Sequence, residues 1–545
     1  MVIVAAGSLG AARSSEAAAP TLRIPLPRDP GTLTPLTFTL GYPLLTLVYD
    51  TITWRDADGI PRPWLARSVR VVDDGRRVVV RMRDGVRWHD GRALTARDVA
   101  FTYDFMRARR HPRFAPQLRA IESVQATDAR TVEFRLRHPA IGFADQPLAD
   151  VPILPAHLWL GLAPGLRAPG GPPIGSGPYR FAARRRDGGV RLTAVSGYFR
   201  GRTRADRVEV PIIPELSDLI TALRRGTVDT LPFALTPQQQ SSLESISVRV
   251  ARGPLYLGTM LMFNLRRAPL NRVAVRRALA DALDLQRIAR AAGAATPART
   301  GPLHPSSRWA PRPAPLNTPP AGRPLERLNL PELRVLAPAN DPLRREAGRQ
   351  VVLALERAGG AARLTAVSRA RLGRAVGEGG LDPSFDLAIT TIPALASFDP
   401  DYLAASFGRR GAGGVLNHTG YASERFDRLA AEVAAAPSVA ARRDAVAALL
   451  GRLERDVPVV PLLFGQGAFG YRSTSPVGWS FVAGSGILDK RALLRAPRER
   501  AAAVAPARSA SRDDGGGTGV LTFLAAGMLV LALVLAGAAA FGRRR

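Results

Sequence analysis

Two hydrophobic periods follow one another along this chain, and together they restrict it to a mixed α/β architecture. The first is the period of two. In RSVRVVDDGRRVVVRMRDG, Arg67 to Gly85, the residues Val78, Val80 and Met82 alternate onto one face, and Asp73-Asp74-Gly75 supplies a turn. That is a β-hairpin pattern, because successive strand side chains point to opposite faces. SVQATDARTVEFRLRHP, Ser123 to Pro139, repeats it with Val132, Phe134 and Leu136 inward. The second grain is strand, helix, strand. ELRVLAP reads as a strand, and DPLRREAGRQVVLALERAGG as a helix with Asp341 as N-cap and Pro342 in its first position. ARLTAV and FDLAITT are further strands, and helices follow from about Ser423 to Ala435 and from about Ser438 to Arg455. The Pro-rich stretch from Pro297 to Pro331 reads as a long loop inside this body, since patterned structure continues on both sides.

Composition excludes several kinds of chemistry. The chain of 545 residues has no cysteine, so disulfides, thiolate nucleophiles and Cys-ligated zinc are ruled out. Lys490 is the only lysine, so there is no P-loop, and a Schiff base would have to form there. The six histidines, at 89, 111, 138, 157, 304 and 418, show no metal-ligand spacing, and no cofactor or metal is expected. The formal net charge of +31 favours acidic partners. Its arginines are scattered over every segment and only 6% of residues are aromatic, which argues for a GC-rich coding bias over a nucleic-acid surface.

Both termini carry apolar runs. Residues 1–19 read as the late part of a secretory signal or a disordered tail, with a small-residue run from Val2 to Ala12. From 498 to 518 the pattern dissolves into a stalk-like composition. Gly519 to Phe541 is free of charge and long enough to span a bilayer, and the basic tail 542–545 follows it. The expectation is a body on the extracytoplasmic face, held in the cell membrane by a single-pass transmembrane helix with a cytoplasmic C-terminus.

RDGVRWHDGRALTARDVAFTYDFM, Arg83 to Met106, holds a His, a Trp and four Asp residues and invites reading as a reaction centre. Its geometry reads otherwise. Asp90-Gly91 is a turn, Thr95 an N-cap, Asp98 the partner three residues on, and Val99, Tyr103 and Met106 one helical face. His89 has no second ligand at metal spacing. The stretch reads as a structural corner.

That corner also resembles the signature region of bacterial ABC-transporter solute-binding proteins of extracellular family five, the peptide- and nickel-binding group. Six more segments fall in the order the family shows: IGSGPYRF (174–181), ALRRGTVDTLP (222–232), FNLRRAPLNRVAVRRALADALD (263–284), FDP (398–400), GYASERFDRL (420–429) and VPVVPLL (457–463). The resemblance implies a two-lobed α/β periplasmic-binding-protein-like fold, type II, cluster C, with an extra inserted domain. It assigns 20–45, 170–264 and 466–497 to lobe I, 46–169 to the inserted domain and 265–465 to lobe II. It implies no enzyme, but capture of a peptide-like or other small solute between the lobes and delivery to ABC permease subunits. A tethered sensor or scaffold that keeps the fold is the alternative. The ligand is expected against position 38 (Phe38, between Thr37 and Thr39), Tyr42, Tyr256, Asn264, Pro393, Leu395, Ala396, Phe398 and Phe464.

One departure bears on the ligand. Peptide binders of the family place an Asp shortly before the Asp-Pro pair to meet the peptide's ammonium. Here that place holds Ala396, and Thr390 to Phe398 contains no carboxylate. An unpaired buried ammonium costs several kcal/mol, order of magnitude. The wall therefore suits an apolar, capped or anionic ligand, with Asp399-Pro400 expected to cap a helix.

Overall fold

The computed structural model describes residues 19–36, 42–109, 114–144, 146–162, 168–231, 233–235, 237–243, 247–293, 295–315, 318–378, 382–393, 398–482 and 486–495. The hairpins form where the period of two places them. Ala66–Val72 pairs with Arg77–Met82, which pairs with Thr131–Leu136, which pairs with Ile121–Ala126, giving a four-stranded antiparallel sheet. Val78, Val80, Val132 and Phe134 are fully buried on its inner face. The helix Ala96–Ala108 covers that face with Val99, Tyr103 and Met106. A second four-stranded sheet joins Thr21–Arg23, Arg207–Val210, Val190–Ala194 and Tyr179–Arg184.

The later grain builds a six-stranded sheet in the order Thr296–Pro297, Val459–Arg472, Val248–Phe263, Leu387–Ile392, Leu333–Pro338, Ala362–Val367. Both of its faces are buried. Leu261, Phe263, Val335, Leu387 and Ile389 point to one core, under the helices Val273–Asp281, Leu285–Ala291 and Pro342–Arg357. Met260, Met262, Leu336, Ala388 and Ile392 point to the other, under Arg369–Val376, Asp401–Phe407, Glu424–Ala434 and Val439–Asp456. Asp341 caps its helix as expected, accepting from the Arg344 amide at 3.0 Å.

The structure corrects two expectations. The stretch 46–169 is not an extra inserted domain with a core of its own. Leu45, Val48, Ile52, Val80, Phe134 and Trp159 pack in one continuous apolar cluster with Leu22, Tyr179, Leu192, Val208 and Leu493. The described residues all fall within one compact unit. The second correction concerns the membrane. The expected transmembrane helix 519–541, the stalk 498–518, the tail 542–545 and residues 1–18 lie outside the described residues. Among the described residues no helix is long and apolar enough to cross a membrane. The longest, Val439–Asp456, carries Arg442, Arg443, Asp444, Arg452, Glu454, Arg455 and Asp456, which no hydrocarbon layer tolerates together. The expected single-pass helix thus has no counterpart among the described residues.

The Asp-rich corner is structural. Thr95 and Asp98 close a capping box, with the Thr95 amide donating to Asp98 Oδ2 at 2.8 Å, and Asp98 Oδ1 also accepts from the Ala156 amide at 3.0 Å. Asp84 pairs with Arg130, Asp90 with His157 at 2.7 Å and Asp104 with Arg107 at 3.1 Å. His89 Nδ1 accepts from the Gly175 amide at 3.2 Å and Nε2 donates to the Gly177 carbonyl at 3.0 Å, a neutral tautomer that burial favours by lowering its pKa. Gly175 itself allows a close approach: a Cβ there would lie 1.9 Å from the Val48 carbonyl oxygen. The sole lysine is not a nucleophile at a surface. Lys490 is fully buried 2.7 Å from Asp50, between the rings of Trp54 and Trp64. Trp64 Nε1 and the Tyr198 hydroxyl each donate to Asp50 at 2.9 Å. This cluster fastens the segment around Lys490 onto the first core.

Candidate functional site

Two long strands, Val248–Phe263 and Val459–Arg472, pair antiparallel along most of their length. Their lower ends pack with the helix Leu216–Arg225, and their upper ends form the middle of the six-stranded sheet. The register breaks between Pro254 and Gly258, so Leu255, Tyr256 and Leu257 bulge opposite Gly465. The bulge turns Tyr256 toward a group of rings. Tyr256 stacks on Phe398 at 4.8 Å between centroids and meets His304 edge-on at 5.0 Å. His304 in turn meets Phe464 edge-on at 4.8 Å.

The column crosses between two bodies of the fold, the first built on the two four-stranded sheets and the second on the six-stranded sheet. Its free end is covered by Arg55, whose guanidinium carbon lies 4.8 Å over the Phe398 ring. Arg55 belongs to the two-stranded ribbon Thr53–Arg55 and Pro61–Pro63, and it donates to Gln146 Oε1. The ribbon's loop is shaped by Asp56, which accepts from the Asp58 and Ile60 amides and pairs with Arg62 at 2.9 Å. Gly59, at φ 79°, is the loop's contact with the rings. A Cβ there would lie 2.7 Å from the Tyr256 hydroxyl oxygen and 3.6 Å from Phe398.

The column is electrically quiet. Burial pushes the Tyr256 hydroxyl up to about 12 and the His304 imidazole down to about 4, so both are neutral at pH 7. His304 Nδ1 accepts from the Ser306 amide at 3.0 Å, and Ser307 Oγ donates to the Phe398 carbonyl at 2.6 Å, which holds Phe398 in line. The neighbouring carboxylates are occupied. Fully buried Arg442 reaches Asp399 at 2.9 Å and Asp401 at 3.0 Å, and its guanidinium lies 4.7 Å from the centre of the Trp309 ring. The helix after Asp399 begins at Asp401 with Pro400 in the cap position. Asp399 still accepts from the Asp401 amide at 3.1 Å, but its larger commitment is to Arg442.

A cavity of about 420 Å³ is lined not by the rings of the column themselves but by Gln146, the partner of Arg55, and by Asp399, the residue after Phe398. One wall comes from the first body, with Ala140, Phe143, Gln146 and Pro147, and the other from the second, with Tyr402, Ala405, Val415 and Ala434. Gln146 ties it to Arg55, and Asp399 ties it to Phe398.

Of the residues expected from sequence, Tyr256, Phe398 and Phe464 come together. Pro393 follows the strand Leu387–Ile392, whose last residue is fully buried. Tyr42 donates to the Asp150 carbonyl, and Gln117 on the cavity wall donates to the Asp150 carboxylate, so Tyr42 stands behind that wall. Asn264 is buried and clamps backbone, donating to the Phe385 carbonyl at 2.9 Å. Position 38, Leu395 and Ala396 lie outside the described residues. Sequence reasoning missed Arg55, Gly59 and His304. The Asp-x-x-Gly turn at Asp56 to Gly59 was the legible signal for the loop, whereas nothing local marks His304.

The family profile described as "Bacterial extracellular solute-binding proteins, family 5 Middle" matches residues 61–414, which takes in the first wall of the cavity and part of the second. The chain belongs to the family 5 solute-binding proteins. The family is one of binding proteins, and this family 5 protein is a binding protein and not an enzyme. The oligopeptide-binding protein AppA of Bacillus subtilis is 28% identical over 251 residues, 44% of this chain and 45% of that one. The chain spans about half the length of the curated relatives it matches. The substrate-binding protein CtaP of Listeria monocytogenes superposes with a TM-score of 0.78 at 20% identity, over 88% of this chain and 100% of that one. B. subtilis AppA in complex with a nonapeptide superposes with a TM-score of 0.69 at 18% identity, over 87% and 98%. These likenesses establish the two-lobed α/β periplasmic-binding-protein-like fold.

Proposed function

We propose that this family 5 protein captures a solute between its two lobes outside the cytoplasm and delivers it to the permease of an ABC transporter. The observation that carries the reading is the continuous column Arg55, Phe398, Tyr256, His304 and Phe464, built from both bodies and linked through Gln146 and Asp399 to a largely apolar cavity of about 420 Å³. Such a site binds by burying apolar surface and rings, and closing one lobe on the other completes it. The extracytoplasmic location and the permease partner rest on the family description and on the relatives' names.

The ligand-contacting residues in this reading are Tyr256, Phe398 and Phe464, and the sequence from Thr390 to Phe398, with Pro393, Leu395 and Ala396, holds no carboxylate. Among the described residues Asp399 and Asp401 are both engaged by Arg442, which leaves them committed when an ammonium arrives. The AppA structure is of a complex with a nonapeptide. The present site favours an apolar, amine-capped or anionic solute, with Arg55 as the cation nearest the rings. The test is native mass spectrometry of the purified protein, beside Tyr256→Ala and Phe398→Ala. A carried-over small molecule that both variants lose supports the reading. Retention of the same molecule by both variants overturns it.

A further inference from the structure

Away from the column, the second lobe holds a groove with an unusual charge arrangement. It has a volume of about 490 Å³ and runs between the edge strand Ala362–Val367, its neighbour Leu333–Pro338 and the helix Arg369–Val376. Leu336 and Val367 form its floor, Thr365 and Ser384 contribute to its sides, and Arg334, Arg371 and Arg374 surround it. Arg371 and Arg374 are three residues apart and so share one flank of the helix. Arg334 comes from the sheet.

The three guanidinium groups are poorly compensated. Arg334 donates to the Ser384 carbonyl at 2.6 Å, while its Nε is buried with no hydrogen-bond partner among the described residues. Arg371 and Arg374 are exposed, and neither has an acidic partner among the described residues. Two of the nearby acids are turned elsewhere. Asp386 is held by Arg267 at 2.5 Å and by the Arg334 amide at 3.1 Å. Glu378 lies against Gly373, on a different flank of the helix from Arg371 and Arg374. Like charges gathered around one concavity repel each other unless an anion joins them. Guanidinium forks match a tetrahedral oxyanion in geometry as well as in charge.

We propose that this groove is an anion site that takes a phosphate-bearing ligand, separate from the solute cleft. The floor of Leu336 and Val367 adds an apolar strip beside the cations, so a phosphate carrying an organic group fits better than a bare ion. The shared chemistry is the phosphate, which a soluble phosphate ester or a lipid headgroup presents alike.

The experiment uses the full chain, the double variant Arg371→Gln/Arg374→Gln, and a control, Arg425→Gln/Arg428→Gln. The control removes the same charge from exposed positions on the helix Glu424–Ala434. Isothermal titration with phenyl phosphate forms one arm. Co-sedimentation with phosphatidylglycerol vesicles, against phosphatidylcholine vesicles, forms the other. The groove is supported if saturable binding in either arm weakens by about tenfold in the groove variant and by no more than about twofold in the control. Loss in the first arm identifies a soluble phosphate, and loss in the vesicle arm alone identifies a headgroup. Equal weakening in both variants means that the overall charge is responsible and overturns the proposal. Absence of saturable binding in both arms overturns it too.

Discussion

Burial holds His304 neutral inside the ring column, and that has a pH signature. Its folded pKa is lowered to about 4, below the value near 6.5 of an unfolded chain, so unfolding takes up a proton between those values. Stability therefore rises with pH across that window and is lost as pH falls through it. Urea melts at pH 7, 6, 5 and 4 should show a decline that is shallower in His304→Gln. Identical slopes for both proteins would remove the claim that His304 is a desolvated group. The Lys490 cluster makes a second residue-scale prediction. Lys490→Met leaves Asp50 charged in a closed interior and should cost about 3–5 kcal/mol in a urea melt. Adding Asp50→Asn should recover part of that loss, because the stranded charge is gone. A Lys490→Met protein as stable as the parent would show that the pair is not desolvated.

At the scale of elements, the capping box and the ribbon loop are the parts most open to test. Thr95→Ala should lower stability by about 1 kcal/mol through the lost cap of the helix Ala96–Ala108. Gly59→Val places a branched side chain at a positive φ and against the Tyr256 hydroxyl. The loop should lift from the rings, and hydrogen exchange at the amides of Asp58, Gly59 and Ile60 should speed up. Unchanged exchange would mean that the loop does not cap the column. Elements were also the level most legible in the sequence. Val78, Val80, Val132 and Phe134 face inward as their alternation requires, and the strand–helix pattern from Leu333 onward forms the sheet it describes. Asp399 was read only in part, because a sequence shows its neighbour Pro400 but not Arg442, which arrives from a distant helix. Arg55, His304 and Phe398 meet only through tertiary packing, and no local pattern encodes that meeting.

For the whole molecule, the continuous first core explains why 46–169 is not a separate domain: its buried residues are the ones that also bury Leu22, Leu192 and Leu493. Hydrophobic patterning locates strands but not which core they share. The net charge of +31 is likewise a property of the whole surface. Duplex DNA binding should be weak and should fade steeply with added salt, as counterion release requires. Sequence-specific binding that resists salt, measured by fluorescence anisotropy, would contradict this.

The account stands or falls on how the cleft recognises its ligand. In the proposed reading its rings and apolar surface meet the ligand, Asp399 and Asp401 are engaged by Arg442, and the sequence from Thr390 to Phe398 holds no carboxylate where the family resemblance implies an Asp in peptide binders. The direct measurement is isothermal titration against di- to pentapeptides in matched pairs, with the amine free and acetylated. The account predicts that acetylation weakens no pair, and that any binding observed is lost in Tyr256→Ala. Micromolar binding of a free peptide that disappears on acetylation would contradict it.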